Sequence, residues 1–156
     1  MSRIQLALNV DDLDAAIAFY SRLFHAEPAK VKPGYANFAI ADPPLKLVLL
    51  ENPGKGGTLN HLGVEVASSD VVRAEIARLS EAGMCTEQES GTTCCFATQD
   101  KVWVTGPGGE RWEVYTKLAD SDSFGAGPQQ LDGDQHACSH SSAGSGESAA
   151  APARCC

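Results

Sequence analysis

The sequence predicts an α+β fold in which two βαβββ modules pair into one curved, mixed sheet, followed by a disordered C-terminal tail. Three observations predict it. Arg3-Ile4-Gln5-Leu6-Ala7-Leu8-Asn9-Val10 aligns without a gap on Leu59-Asn60-His61-Leu62-Gly63-Val64-Glu65-Val66, so the chain repeats itself. In each copy alternate residues are apolar, the period-2 mark of a strand with one buried face, and a stripe of helical spacing follows. From Ala119 onward Ser, Gly, Ala, Asp and Gln dominate, a composition that buries too little apolar surface to fold. The folded domain is therefore expected over 1–118, with halves of about 1–57 and 58–118, and a flexible Cys- and His-containing tail over 119–156.

In the first copy Ile4, Leu6, Leu8 and Val10 form the buried face. Asp11 or Asp12 can cap the next helix, whose stripe is Leu13, Ile17, Tyr20 and Phe24. His25, directly behind that stripe, suits the negative end of the helix dipole and is given no catalytic role. Strands are expected around Tyr35–Ile40 and Lys46–Glu51, which makes the first half an abbreviated βαβββ unit. The second copy buries Leu62, Val64 and Val66. Ser68 or Ser69 can cap a helix carrying Val72, Ile76 and Leu79, and Gly83 ends it. Strands then fall around Thr86–Glu89, Phe96–Thr98, Val102–Thr105 and Arg111–Thr116, with Pro43-Pro44, Pro53-Gly54 and Pro107-Gly108-Gly109 as turns.

The bulk properties narrow the function classes. No apolar run approaches a membrane span, and Met1-Ser2-Arg3-Ile4 enters a strand without a signal peptide, so a cytoplasmic protein is expected. In that compartment the six cysteines read as thiols for metal, metalloid or redox chemistry rather than as a disulfide framework. A net charge of −8 and the lack of clustered Lys and Arg exclude a nucleic-acid partner. In the tail, Cys138, Cys155, Cys156, His136 and His140 suit either a scavenger of soft metal ions or a plain solvated extension.

Strand parity leads from the fold to a site. With the apolar residues under the helices, the opposite face presents Gln5, Ala7 and Asn9 from one half and His61, Gly63 and Glu65 from the other. On the last strand Trp112 and Val114 take the core face and leave Glu113 and Tyr115 on the inner one. Gln5, His61 and Glu113 thus share a concave surface. One imidazole, one carboxylate and one amide oxygen are three ligands that a mid-series divalent ion accepts, with positions left for water, substrate or O2. Fe(II) suits this set, and so do Ni(II), Co(II), Mn(II) and Zn(II). The bland alternative is a hydrogen-bonded strand histidine beside a solvated acid. Lys101, Trp103 and Tyr115 are expected to line the cavity, as core or rim.

Cys94 and Cys95 are adjacent, in Gly91-Thr92-Thr93-Cys94-Cys95-Phe96. Neighbouring thiols can clamp one soft atom, but a regular strand points them to opposite faces, so cooperation needs an irregular backbone. The other reading is a pair of small buried residues.

Taken together, these residues resemble the vicinal oxygen chelate superfamily, which includes glyoxalase I and the extradiol dioxygenases. The resemblance covers residues 3–117. Arg3 to Val10 with Ala18-Phe19-Tyr20-Ser21, Leu59 to Val64, Cys94-Cys95, and Gly108-Gly109-Glu110-Arg111-Trp112-Glu113-Val114-Tyr115 are similar, more narrowly, to the bacterial organoarsenical carbon–arsenic lyases and the cadmium-induced proteins. That resemblance implies an Fe(II)- and O2-dependent enzyme, monomeric or homodimeric, that cleaves the C–As bond of trivalent organoarsenicals such as methylarsenite. Gln5, His61 and Glu113 would hold iron, and Cys94 and Cys95 would bind the arsenic. Two other classes stay open: a protein that sequesters cadmium or arsenite, and another metal-dependent dioxygenase or glyoxalase-like enzyme on the same fold.

Overall fold

β1 (Arg3–Val10) and β5 (Leu59–Glu65), the two copies of the repeat, lie side by side and antiparallel in the middle of an eight-stranded sheet. The computed structural model describes residues 2–125; the tail cysteines and histidines singled out above lie outside them. Outward from β1 run β4 (Leu45–Glu51), β3 (Tyr35–Ile40) and β2 (Lys30–Lys32). Outward from β5 run β8 (Arg111–Asp120), β7 (Ala97–Thr105) and β6 (Thr86–Cys94). In each half the inner pair is parallel and the outer pairs are antiparallel, so the halves match strand for strand.

The first half is therefore complete, not abbreviated. β2 is the three residues Lys-Val-Lys, too short for an alternation pattern to register. β7 is one continuous strand where two were expected, because Gln99 and Lys101 break the apolar pattern while pointing inward. β6 runs on through a bulge near Glu89 as far as Cys94. β8 continues two residues past 118, to Asp120.

α1 (Leu13–Phe24) begins at Asp12, whose carboxylate accepts from the Ala15 amide at 2.9 Å, and ends at His25 in the left-handed region. It lies across β3 and β4, and α2 (Ser69–Glu81) lies across β7 and β8. Under α1 pack Leu6, Leu8, Val10, Phe38, Leu47 and Leu49. Under α2 pack Val64, Val66, Val72, Leu79, Val102 and Val114. The expected parity holds, yet the degree of burial is inverted. Gln5 is 4 % exposed and its neighbour Ile4 46 %. The helices leave the start of β1 open, while the curled sheet and the β6–β7 turn enclose the concave face. There a separate cluster forms from Ala7, Tyr35, Val48, Leu50 and Phe96. No helix among the described residues is long and apolar enough to cross a membrane.

Candidate metal centre and thiol pair

Gln5, His61 and Glu113 come from three adjacent strands, β1, β5 and β8. Gln5 pairs with Gly63, Gly63 pairs with Glu113, and His61 pairs with Ala7. Gln5 and Glu113 reach each other across the glycine: a Cβ there would sit 3.1 Å from Glu113 Cγ and 3.2 Å from Gln5 Cβ. The polar ends form a triangle. Gln5 Nε2 is 3.0 Å from His61 Nε2 and donates to Glu113 Oε1 at 2.7 Å, and His61 Nε2 is 3.4 Å from Glu113 Oε1.

That triangle has the dimensions of one face of a coordination octahedron, since adjacent ligand atoms on bonds of about 2.1 Å lie about 3 Å apart. The amide NH2 stands where a cation would draw the other two groups together. Gln5 Oε1 accepts from the Tyr115 hydroxyl at 2.6 Å, so ligation through oxygen requires a half-turn of the amide. Among the described residues no three His, Cys, Asp or Glu side chains converge on a point; an ion here depends on Gln5. With that half-turn, the donor set fits a mid-series divalent metal.

The surroundings orient each group. His61 Nδ1 lies 2.7 Å from Asn60 Oδ1, which makes Nδ1 the donor and turns the Nε2 lone pair to the triangle. Asn60 Nδ2 donates to Asn9 Oδ1 at 2.9 Å, and Asn9 Nδ2 donates to Thr58 Oγ1 at 2.9 Å. Trp103 meets the His61 ring edge-on, centroids 5.4 Å apart. Burial on its own would raise the Glu113 carboxyl, but Lys101, 3.0 Å away, and His61 hold it down at about 2. Glu113 is thus a carboxylate at any working pH. Burial pushes the Tyr115 hydroxyl far above the usual phenol range, and it holds Lys46, which donates to that hydroxyl at 2.8 Å, below the usual lysine range.

The irregular backbone that a thiol clamp needs is present. Cys94 ends β6, Ala97 opens β7, and the two residues between them, Cys95 and Phe96, have φ of 52° and 61°. Two consecutive left-handed residues make a type I′ hairpin turn, a conformation that favours Asn-Gly and strains Cys-Phe. The sulfurs lie 3.5 Å apart. An atom bonded at about 2.3 Å to each would bridge them at an angle of about 100°. Cys94 is fully buried. Cys85 and Cys95 each take part in a disulfide bond, a departure from the reading of the cysteines as thiols; a clamp requires Cys95 reduced. The turn is pinned from both sides. The Cys95 amide donates to Phe124 O, Lys30 Nζ donates to Phe96 O, and the Phe96 ring lies between Tyr35 and Phe124.

Gln5, His61, Glu113 and Cys95 all border one cavity of about 230 Å³. Gln99 borders it too, its Oε1 buried and without a hydrogen-bond partner. Of Lys101, Trp103 and Tyr115, which sequence reasoning placed here, only Lys101 borders the cavity, and Lys46 and Tyr35 were missed. Lys46 had a legible signal: it is the one charge in Leu45-Lys46-Leu47-Val48-Leu49-Leu50, on a strand next to Gln5.

Residues 3–114 match the Glyoxalase/Bleomycin resistance protein/Dioxygenase superfamily. The chain belongs to this superfamily. Within it, the chain is 83 % identical over 132 residues to the cadmium-induced protein CadI of Mycobacterium tuberculosis, covering 85 % of this chain and 87 % of that one. It is 62 % identical over 125 residues to the trivalent organoarsenical cleaving enzyme of Thermomonospora curvata, covering 80 % and 83 %. Among solved superfamily structures, catechol 2,3-dioxygenase superposes with a TM-score of 0.57 at 18 % identity, over 79 % of this chain and 43 % of that one. That likeness concerns the fold.

Proposed function

We propose that this protein is an Fe(II)- and O2-dependent carbon–arsenic lyase that converts trivalent organoarsenicals, methylarsenite among them, to arsenite. One observation carries the reading: Cys95, whose sulfur lies 3.5 Å from that of Cys94, borders the same cavity as Gln5, His61 and Glu113. The relative named as a trivalent organoarsenical cleaving enzyme supports the substrate class.

Gln5 Oε1, His61 Nε2 and Glu113 would hold the iron, which when bound supplies the activation of O2 that side chains cannot provide. The chain's own residues do the rest. An arsenic(III) bearing one organic group has two exchangeable ligands, which Cys94 and Cys95 replace, fixing the C–As bond within the cavity and gaining the advantage of an intramolecular reaction. A pentavalent arsenical offers no such exchange and is not a substrate until reduced. The turn over the cavity excludes water, and Lys101 keeps Glu113 ionised and oriented.

The test is direct. Fe(II)-loaded, reduced protein incubated with methylarsenite in air should release arsenite, and Cys94→Ser or Cys95→Ser should reduce that release to background. A wild-type protein that yields no arsenite ends the proposal. The relative named for its induction by cadmium favours a second reading, sequestration of cadmium or arsenite. Removing residues 126–156 then separates the two: the amount of metal bound per chain falls under sequestration, whereas turnover survives under lysis.

A further inference from the structure

Five basic side chains, Arg3, Lys30, Lys46, Lys101 and Lys117, border the cavity of a chain whose net charge is −8. The acids beside them are Glu65, Glu113 and Asp120. Four of the five bases are ion-paired. Arg3 holds Glu65, Lys101 holds Glu113, and Lys30 and Lys117 share Asp120. Lys46 differs. Its ammonium donates to the Tyr115 hydroxyl and lies 4.9 Å from the centre of that ring, and among the described residues no carboxylate forms an ion pair with it. A partly buried cation that lacks a counter-ion is stabilised when an anion enters.

Its place in the sheet says what kind of anion. Lys46 pairs with Gln5 on one side and with Ala39 on the other, so it stands one strand, about 4.8 Å, from a candidate ligand. It belongs to the first half, whereas the thiols come from the β6–β7 turn of the second. Ala39, its partner on β3, keeps the wall beside Lys46 low. A volume of about 230 Å³ is many times what a single water needs, more than a methyl group on arsenic fills.

We propose that Lys46 forms an oxyanion subsite that selects arylarsenicals whose ring bears a carboxylate. The proposal rests on the reading of this cavity as an arsenical site and names the substrates it prefers. The Lys46 ammonium is the positive end of the cavity, and the clamped arsenic and the ring lie between it and the turn.

Three trivalent arsenicals test it: phenyl, 4-carboxyphenyl, and the uncharged isostere 4-carbamoylphenyl. Two readouts are taken: arsenite release by the Fe(II)-loaded enzyme, and binding to the reduced, metal-free protein followed by tryptophan fluorescence. In the wild type, kcat/KM and affinity for the carboxylate should exceed those for the carbamoyl compound about tenfold or more, the size of a charge-assisted hydrogen bond. Lys46→Met should bring that ratio to about one, while Lys46→Arg keeps most of it. Lys46→Gln replaces Lys46→Met should the latter fail to melt cooperatively. A wild type that does not distinguish the two rings overturns the subsite, and so does a Lys46 variant that weakens both rings in proportion. Arsenite release from phenylarsenite without charge preference removes the subsite and leaves the lyase reading standing. A charge preference in binding, lost in Lys46→Met, with no arsenite released from any compound, does the reverse.

Discussion

At the scale of single residues, the site depends as much on an absent side chain as on those present. Gly63 lies between Gln5 and Glu113 in the β1–β5–β8 register, and a methyl group there meets both within 3.2 Å. Gly63→Ala should therefore push the two ligands apart, weaken divalent metal binding tenfold or more by calorimetry, and destabilise the fold by about 1–3 kcal/mol through overpacking. Unchanged metal affinity in a folded variant would count against the ligand assignment. Glu113 carries a pH dependence whose sign follows from its partners. Its folded carboxyl is held at about 2 against an ordinary value of 4.5, burial being outweighed by Lys101 and His61. A depressed carboxyl stabilises the folded state above the ordinary value, and that stabilisation fades as the pH drops from 4.5 toward 2. The urea midpoint of the metal-free protein should thus decline between pH 5 and pH 3. The gap between wild type and Glu113→Gln should narrow over the same range; a gap that stays constant refutes the pairing.

At the scale of elements, the β6–β7 turn sets how Cys94 and Cys95 stand toward the candidate metal set. Its left-handed Cys95 and Phe96 are held by contacts outside the hairpin, notably the Phe96 ring against Tyr35 and Phe124. Phe96→Ala removes a buried ring at a cost of about 3 kcal/mol. It should also release the turn, lowering arsenical affinity while leaving metal affinity within about twofold, measured in parallel titrations; equal losses in both would show that the turn supports the whole sheet instead. The same turn shows where sequence reading stops. Alternation alone sorted Gln5, His61 and Glu113 from Leu6, Leu62 and Val114, because period 2 is a property of any strand with two unlike faces. It says only that cooperating cysteines need an irregular backbone, and the sharp reversal that supplies it sits at Cys95-Phe96. No local signal marks Cys-Phe as a type I′ turn; contacts from residues 30, 35 and 124 impose it. Nor does alternation report that the polar face is the more deeply buried one, since that follows from the curl of eight strands.

At the scale of the whole molecule, the duplication explains why the candidate metal set has three members and not four. Gln5 corresponds to His61 in the repeat, and Ala7 to Gly63. The two pairings at the junction, Gln5 with Gly63 and His61 with Ala7, are therefore counterparts of each other. β4 sits beside β1 as β8 sits beside β5, so the pair Ala7–Val48 is the counterpart of Gly63–Glu113. Val48, buried in the concave cluster, occupies the place a second carboxylate would take. An apolar residue at that place keeps one side of the site free of protein ligands, which suits a centre that must admit a second molecule. Val48→Glu would send a carboxylate across Ala7 toward His61, as Glu113 reaches across Gly63 toward Gln5. Without metal the variant should melt at a lower temperature, because a carboxylate replaces a buried valine. Divalent metal should recover that loss and bind tenfold or more tightly than to wild type, since binding to the folded state alone raises its stability. Arsenite release should fall to background as the free position is filled. A folded Val48→Glu protein that binds metal no better than wild type would mean that the two halves are alike in backbone but not in the direction their side chains take into the cavity.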